Sequence, residues 1–152
     1  MKRIAKTLTI AAIAAAVLSL APTARAADKG CSNASIRGTF VFRGSGSVID
    51  PAAVFLLDVV FVQTFDGNGA LTSTGVQSHN GNILQIGQTG TYTVNPDCTG
   101  TYTALISPIG LTVHFFFVIA DNQNDLEVLS TDANTVVAGT ARRQFPIGDW
   151  RQ

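Results

Sequence analysis

The sequence predicts an all-β protein, a single antiparallel meander of about eight strands. Alternating apolar and polar residues recur along the chain, and short turn sequences separate them. Three of these turns, Asp66-Gly67-Asn68-Gly69, Asn80-Gly81 and Asn95-Pro96-Asp97-Cys98, leave almost no loop between strands. Such a meander closes most simply into an up-and-down barrel, which removes exposed strand edges. A two-sheet sandwich is the alternative.

The first 26 residues have the organisation of a secretory signal peptide. They begin with a basic region, continue with the apolar stretch Leu8–Leu20 and end with the small-residue cleavage sequence Ala24-Arg25-Ala26. The apolar stretch is shorter than the roughly 18 residues of a membrane span. We therefore expect export to the periplasm or the medium, and one mature domain from 27 to 152.

Removal of the signal peptide would change the net charge of the protein. The full chain has 10 basic and 10 acidic residues, and four basic residues leave with the signal, so the mature charge is 6 − 10 = −4. No basic stripe remains to neutralise a phosphate backbone, so we expect no nucleic-acid partner. We expect no membrane partner of the mature domain either.

The first two predicted strands differ in character. Ser35–Arg43 alternates apolar and polar side chains, which is typical of a half-solvated strand. The Gly- and Ser-rich segment Gly44–Pro51 predicts a loop. Ala53–Phe65 is long enough for a helix, but its β-branched and aromatic residues favour a strand.

Six further strands follow, each after a turn. Ala70–Ser78 is rich in Thr, and Ile83–Val94 contains Gly87 and Gly90, which indicate a bulge or a sharp bend. The remaining strands are predicted at Thr99–Ile106, Leu111–Ile119, Asp125–Thr131 and Thr135–Arg143.

The two cysteines, Cys31 and Cys98, both remain in the predicted mature domain. An even number of cysteines in an exported domain predicts a disulfide. The bond would close a loop of nearly 70 residues. The loss of loop entropy in the unfolded chain would then stabilise the fold by about 4 kcal/mol.

Two predicted strands, Ala53–Phe65 and Leu111–Ile119, are apolar on both faces. One face of each strand must line the barrel interior. The other face must be covered, and we expect another subunit to cover it. The sequence therefore predicts a homo-oligomer that associates through the barrel wall.

Asp58 and His114 are the lone ionisable groups in these two strands. If both faced the lumen, burial would raise the pKa of the carboxyl and lower that of the imidazole, which could make an acid–base pair. The alternative is that each lies at a rim or an interface and has a local hydrogen-bond partner. Candidate ligand-binding residues are the aromatic side chains Phe55, Phe61, Tyr92, Tyr102, Phe115 and Phe117, although buried tyrosines also serve as core residues.

The sequence lacks the patterns of most enzyme classes, and this weighs against an enzyme. It has no nucleophile elbow and no Gly-rich loop that opens a helix, so we expect no nucleotide or other cofactor. His79 and His114 lack the spacing of metal ligands. The Asp66 turn resembles the start of a calcium loop, but Ala70 and Leu71 break the pattern, and we expect no metal.

Three phrases carry a resemblance to a group of small exported bacterial proteins of unassigned function. They are Phe65-Asp66-Gly67-Asn68-Gly69, the stretch from Gly90 to Thr101, and the ending from Thr131 to Gln144. The repeated hairpins also resemble, more distantly, the allene oxide cyclase and dirigent barrels of the calycin type. That resemblance implies an eight-strand barrel with an apolar lumen, often assembled as a trimer through the barrel wall. It implies no catalytic residue here, since no motif matches those sites.

Three functions are compatible with these patterns. The first is an exported barrel that binds a small apolar ligand in its lumen. The second is an isomerase or cyclase of the allene oxide cyclase or dirigent type. The third is a structural or interaction protein whose lumen is filled by its own side chains. An open lumen of several hundred Å³ would favour the first two functions, and a packed interior would favour the third.

Overall fold

Inward and outward side chains alternate through eight strands in the computed structural model, which describes residues 30–145. Each strand pairs antiparallel with the next, and β1 also pairs with β8, so the sheet closes into a barrel. This confirms the predicted meander barrel rather than the sandwich. The strands are β1 (Gly38–Asp50), β2 (Ala53–Phe65), β3 (Ala70–His79), β4 (Asn82–Val94), β5 (Thr99–Ser107), β6 (Leu111–Ala120), β7 (Asp125–Ser130) and β8 (Thr135–Arg143).

The predicted signal peptide lies outside the described residues. Within 30–145, no helix has the length and apolar character needed to cross a membrane. The helical structure in this range is limited to the short 3₁₀ turns Asn33–Ile36 and Asp121–Gln123.

The turn sequences form tight hairpins as predicted. Asn80 and Gly81 both have positive φ, 48° and 86°, which is the geometry of a two-residue hairpin turn. In the β2–β3 turn, one carboxylate oxygen of Asp66 accepts backbone N–H bonds from Asn68, Gly69 and Ala70 at 2.7–2.9 Å. These bonds, chiefly those from Asn68 and Ala70, lower the pKa of Asp66.

The predicted loop Gly44–Pro51 is wrong, because β1 continues through it to Asp50. Every residue of this stretch up to Asp50 pairs with β2. A Cβ at Gly46 would overlap the backbone carbonyl of Val136 on β8. Glycine therefore marks a close approach of two strands here, which local composition cannot distinguish from a loop.

Gly87 and Gly90 do not introduce a bulge into β4. The pairing of β4 with β3 and β5 runs residue by residue without an insertion. A Cβ at Gly90 would overlap the backbone carbonyl of Thr103 on β5. Glycine here again permits close contact between neighbouring strands.

A segment before β1 caps one end of the barrel. Ser35 and Ile36, predicted to begin the first strand, belong instead to the 3₁₀ turn Asn33–Ile36, and Ile36 is fully buried. The guanidinium of Arg143 donates hydrogen bonds to the carbonyls of Ser35 and Arg37, at 3.2 and 2.6 Å. The same guanidinium lies 4.5 Å from the ring centroid of Phe40, in cation–π contact. We call this end of the barrel the capped end.

The predicted disulfide joins Cys31 to Cys98, with a Cα–Cα distance of 4.9 Å. The backbone N–H of Cys31 also donates to the carbonyl of Pro96 at 3.1 Å. Both contacts attach the capping segment to the β4–β5 turn.

The half of the lumen next to the capped end is filled by side chains. Phe65 packs edge-to-face against Phe40 and Tyr92, with ring centroids 5.6 and 4.9 Å apart. The Tyr92 hydroxyl accepts from the Gly67 N–H at 2.8 Å and donates to the Asn33 carbonyl at 3.2 Å. Tyr92 therefore connects the core to the cap and to a turn.

Candidate ligand-binding site

The other half of the lumen holds a cavity of about 670 Å³. It extends to the opposite end of the barrel, where its lining includes Asp50 and His79 at the ends of β1 and β3, and Ile109 and Ala133 in the β5–β6 and β7–β8 connections. We call this the open end. The volume falls within the range of roughly 300–1,000 Å³ that is typical of small-molecule sites.

The cavity walls are mainly apolar because the inward faces of the strands are apolar. β2 contributes four successive inward side chains, from Phe55 to Phe61, and β6 contributes Leu111, Val113 and Phe115. Deeper in the lumen, the rings of Phe42 and Phe61 stack with centroids 4.7 Å apart. Apolar walls of this kind bind apolar groups through the hydrophobic effect.

Three of the six predicted ligand-binding aromatics line this cavity, namely Phe55, Phe61 and Phe115. The other three, Tyr92, Tyr102 and Phe117, are buried side chains outside the cavity lining. Tyr102 on β5 stacks on Phe115 of β6 with ring centroids 4.7 Å apart, so it packs beside a residue of the cavity wall. Burial raises the pKa of the Tyr102 phenol, and the Gln63 side chain offsets part of that effect.

Polar side chains interrupt the apolar walls at a few positions. Gln77, His79, Gln88 and Ser130 all contribute to the lining. Gln88 Oε1 and His79 Nε2 are buried without a hydrogen-bond partner among the described residues. The His79 ring also packs edge-on against Phe55, with centroids 5.0 Å apart. The cavity thus offers hydrogen-bonding atoms that the protein itself leaves unpaired.

The structure does not bring Asp58 and His114 together. Both side chains are exposed on the outer face of the barrel, and their strands, β2 and β6, lie four strands apart in either direction. His114 Nδ1 instead contacts Asp132 Oδ1 at 2.7 Å, and the His114 backbone N–H donates to Asp132 Oδ2 at 2.8 Å. An acid–base pair of Asp58 and His114 in the lumen therefore has no geometric basis, while the local-partner alternative describes His114.

The polar residues of the lumen were not predicted from the sequence. Gln63, Ser73, Gln77, His79 and Gln88 all occupy inward positions of β2, β3 or β4. Their positions in the strand alternation could have identified them, because side chains of a strand point alternately to its two faces. Each of them lies an even number of residues from an inward apolar side chain on its own strand. Asp58 and His114 each lie an odd number of residues from the inward side chains of their strands. Once the inward face is known, the alternation therefore places both on the outer face.

The chemistry available in the cavity is hydrogen bonding within an apolar surface. Among residues 30–145, no group of three His, Cys, Asp or Glu side chains is arranged to hold a metal ion. The lining contains carboxylates at Asp50 and Asp132, both near the open end. These features define a class, namely a small closed β-barrel that is packed in one half and hollow in the other.

Comparisons of the chain with protein-family models, with curated proteins and with solved structures find no match. The resemblance to allene oxide cyclase and dirigent barrels therefore stays a prediction.

Proposed function

We propose that this protein is an exported binding protein that holds a small, mainly apolar molecule in the hollow half of its barrel. The observation that carries the proposal is the cavity of about 670 Å³, with apolar walls and unpaired polar atoms at Gln88 and His79. A barrel that served only as a scaffold has no need of such a volume, because interiors normally pack to high density. The cavity therefore supports binding over the filled-barrel alternative.

Binding is also better supported than isomerase or cyclase activity. The catalytic hypothesis depended on Asp58 and His114 facing the lumen, and both are exposed outside it. The remaining lining offers shape and hydrogen bonds, which are sufficient for binding.

The disulfide supports export. A bond between Cys31 and Cys98 persists in oxidising compartments and is rare in reducing ones. Export through the predicted signal peptide would deliver the chain to such a compartment.

A matched pair of substitutions on β8 tests the binding site. Val137 is 4% exposed and lines the cavity, whereas its neighbour Val136 is 57% exposed on the outer face. We expect Val137→Phe to weaken binding of the neutral fluorescent probe phenylnaphthylamine by at least about tenfold, because the larger ring occupies part of the cavity. Fluorescence titration of the oxidised mature protein measures this affinity.

Val136→Phe is the control, and we expect it to bind the probe like the wild type. Melting temperatures of both variants would show that each remains folded. Equal affinity in all three proteins, or no probe binding by the wild type, would contradict a ligand site in the lumen.

We further propose that the protein self-associates through the outer face of β1, β2 and β3. This face exposes a continuous apolar patch, whose members are Val41, Ile49, Val54, Leu56, Val60, Val62 and Val76. Arg43 and Asp58 lie within the patch on adjacent strands and form no ion pair with a described residue. A patch that carries both charges can be complementary to itself across a twofold axis, which favours a second copy of this chain as the partner.

A further inference from the structure

Four polar side chains form a cluster in the middle of the lumen. Gln63, Ser73, Gln88 and Tyr102 are 1%, 6%, 5% and 2% exposed. Gln63 on β2 is the direct partner of Ser73 on β3, and Ser73 is the direct partner of Gln88 on β4. Direct partners point to the same face of a sheet, so these three side chains form a row across the inner wall. Tyr102 lies close enough to Gln63 for that side chain to lower its pKa.

Each member of this cluster has a polar atom without a hydrogen bond of normal geometry to the described chain. The atoms are Gln63 Nε2, Ser73 Oγ, Gln88 Oε1 and Tyr102 Oη. Buried polar groups are normally paired, because an unpaired one loses its bonds to water without replacement. Gln63 and Tyr102 are close enough to interact with each other. Ser73 Oγ and Gln88 Oε1 have no partner in the described chain, which indicates that something other than the protein chain supplies theirs.

Gln88 is the member through which the cluster reaches the cavity. It lines the cavity, and it lies four residues from Leu84, another lining residue nearer the open end, roughly 13 Å along β4. Its amide group can both donate and accept hydrogen bonds. A ligand that extends from the open end to this depth would place one end of its length against Gln88.

The cluster is electrically neutral, and so are the cavity walls around Gln88. No Lys or Arg side chain in the described range lines the cavity. Its two carboxylates, Asp50 and Asp132, belong to the open end, and Asp132 is engaged with His114. A charged head group beside Gln88 would be buried without a counter-ion, which is strongly unfavourable.

We propose that the lumen ligand is an uncharged molecule with an apolar body and one hydrogen-bonding head group, such as a hydroxyl or carbonyl, and that this head group binds Gln88. The inference rests on the proposed lumenal binding function and specifies its ligand class. The apolar body occupies the walls between Gln88 and the open end. The head group completes the hydrogen bonding of Gln88 and, directly or through ordered water, of the cluster behind it.

Eight-carbon compounds that differ only in the head group test this proposal. Octanol, octanoate and octylammonium would compete with phenylnaphthylamine for the oxidised mature protein. We expect octanol to bind at least about tenfold more tightly than either charged compound, because only the neutral head group can be buried at Gln88 without a counter-ion. Octanoate or octylammonium binding as tightly as octanol would overturn the assignment of a neutral head group.

A substitution at Gln88 tests where the head group binds. We expect Gln88→Leu to weaken the binding of octanol by about tenfold, because the octanol hydroxyl loses its hydrogen-bond partner. The affinity for octane should stay unchanged or increase, because octane makes no hydrogen bond. The matched control is Gln85→Leu, three residues away on the exposed face of β4 and outside the cavity lining. We expect Gln85→Leu to alter neither affinity.

Different outcomes of these experiments would contradict the head-group inference and the proposed lumenal binding. If Gln88→Leu changes octanol and octane binding equally, the cluster is occupied by water alone and the head-group inference is wrong, although the lumen still binds ligands. If neither compound displaces a probe whose binding Val137→Phe weakens, the lumen binds ligands but the proposed ligand class is wrong. If the probe itself does not bind to the wild type, lumenal binding is wrong. Melting temperatures of the two variants would show that they are folded.

Discussion

Single side chains at inward positions decide what the barrel can hold. Gln88 lies two residues from the buried Ile86 on β4, so the alternation of the strand places its side chain in the lumen. The same alternation places the Asp58 side chain on the outer face of β2, where it cannot act on a ligand in the lumen. The sequence indicates the inward face of a strand where one face is clearly more apolar, but it leaves the inward face of β2 and β6 open, because both faces of these strands are apolar. The sequence also does not show which inward polar side chains lack a hydrogen-bond partner, because the partners would come from other strands.

The Asp66 carboxylate gives a prediction at the residue scale. We expect Asp66→Ala to lower the melting temperature at neutral pH, because three backbone N–H groups of the β2–β3 turn lose their acceptor. The folded pKa of Asp66 lies below its ordinary value of 3.8. The charged form therefore stabilises the protein above about pH 4, and this contribution is lost as the pH falls through the folded pKa.

Thermal unfolding from pH 7 to pH 2 would measure this effect. We expect the gap in melting temperature between wild type and Asp66→Ala to narrow at the acidic end. Glu127→Ala is a suitable control, because Glu127 is exposed on β7 and makes no side-chain hydrogen bond in the described chain. A gap that stays constant with pH would show that ionisation of Asp66 does not stabilise the turn.

The strands differ in how much of their structure local sequence determines. The bounds of β2 and β8 agree with the sequence prediction, because turn residues flank both and β-branched residues fill them. The end of β1 and the capping turn were mispredicted. Gly46 in β1 is explained by the backbone of β8, and the capping turn is held by Arg143, 106 residues from Arg37. Neither long-range contact is visible in a local pattern.

The outer face of β2 gives a prediction at the scale of an element. We expect Leu56→Lys to weaken self-association by at least about tenfold, because it places a charge in the proposed apolar interface. Sedimentation equilibrium measures the association constant. Leu129→Lys is the matched control, since Leu129 is also exposed, at 50% against 65% for Leu56, but lies on β7 outside the patch.

The charges in the patch allow a second test of the same interface. Arg43→Glu should weaken association, and adding Asp58→Arg should restore it, because the exchange recreates opposite charges across a twofold axis. A wild type that is monomeric at all concentrations, or equal effects of Leu56→Lys and Leu129→Lys, would contradict the proposed interface.

At the scale of the whole molecule, the barrel is divided into a packed half and a hollow half. The capping turn brings Ile36 into the barrel end, where Phe40, Phe65 and Tyr92 fill the lumen around it. Towards the open end, side chains such as Val48, Phe55 and Leu111 line the lumen, and the volume between them stays free. The meander and its closure into a barrel could be predicted from the turn sequences and from the alternation of apolar and polar residues. The cavity could not be predicted, because it depends on how aromatic side chains from strands across the barrel pack against one another.

Crystals of the mature protein grown with an ω-bromoalkanol would show directly whether the lumen holds a ligand. The anomalous scattering of bromine would mark one end of the ligand. We predict a bromine peak in the cavity towards the open end, near Leu111, with the chain leading to a hydroxyl at Gln88. Bromine found only on the outer face, or a lumen that contains only water at a saturating concentration of the compound, would show that the lumen is not a ligand site.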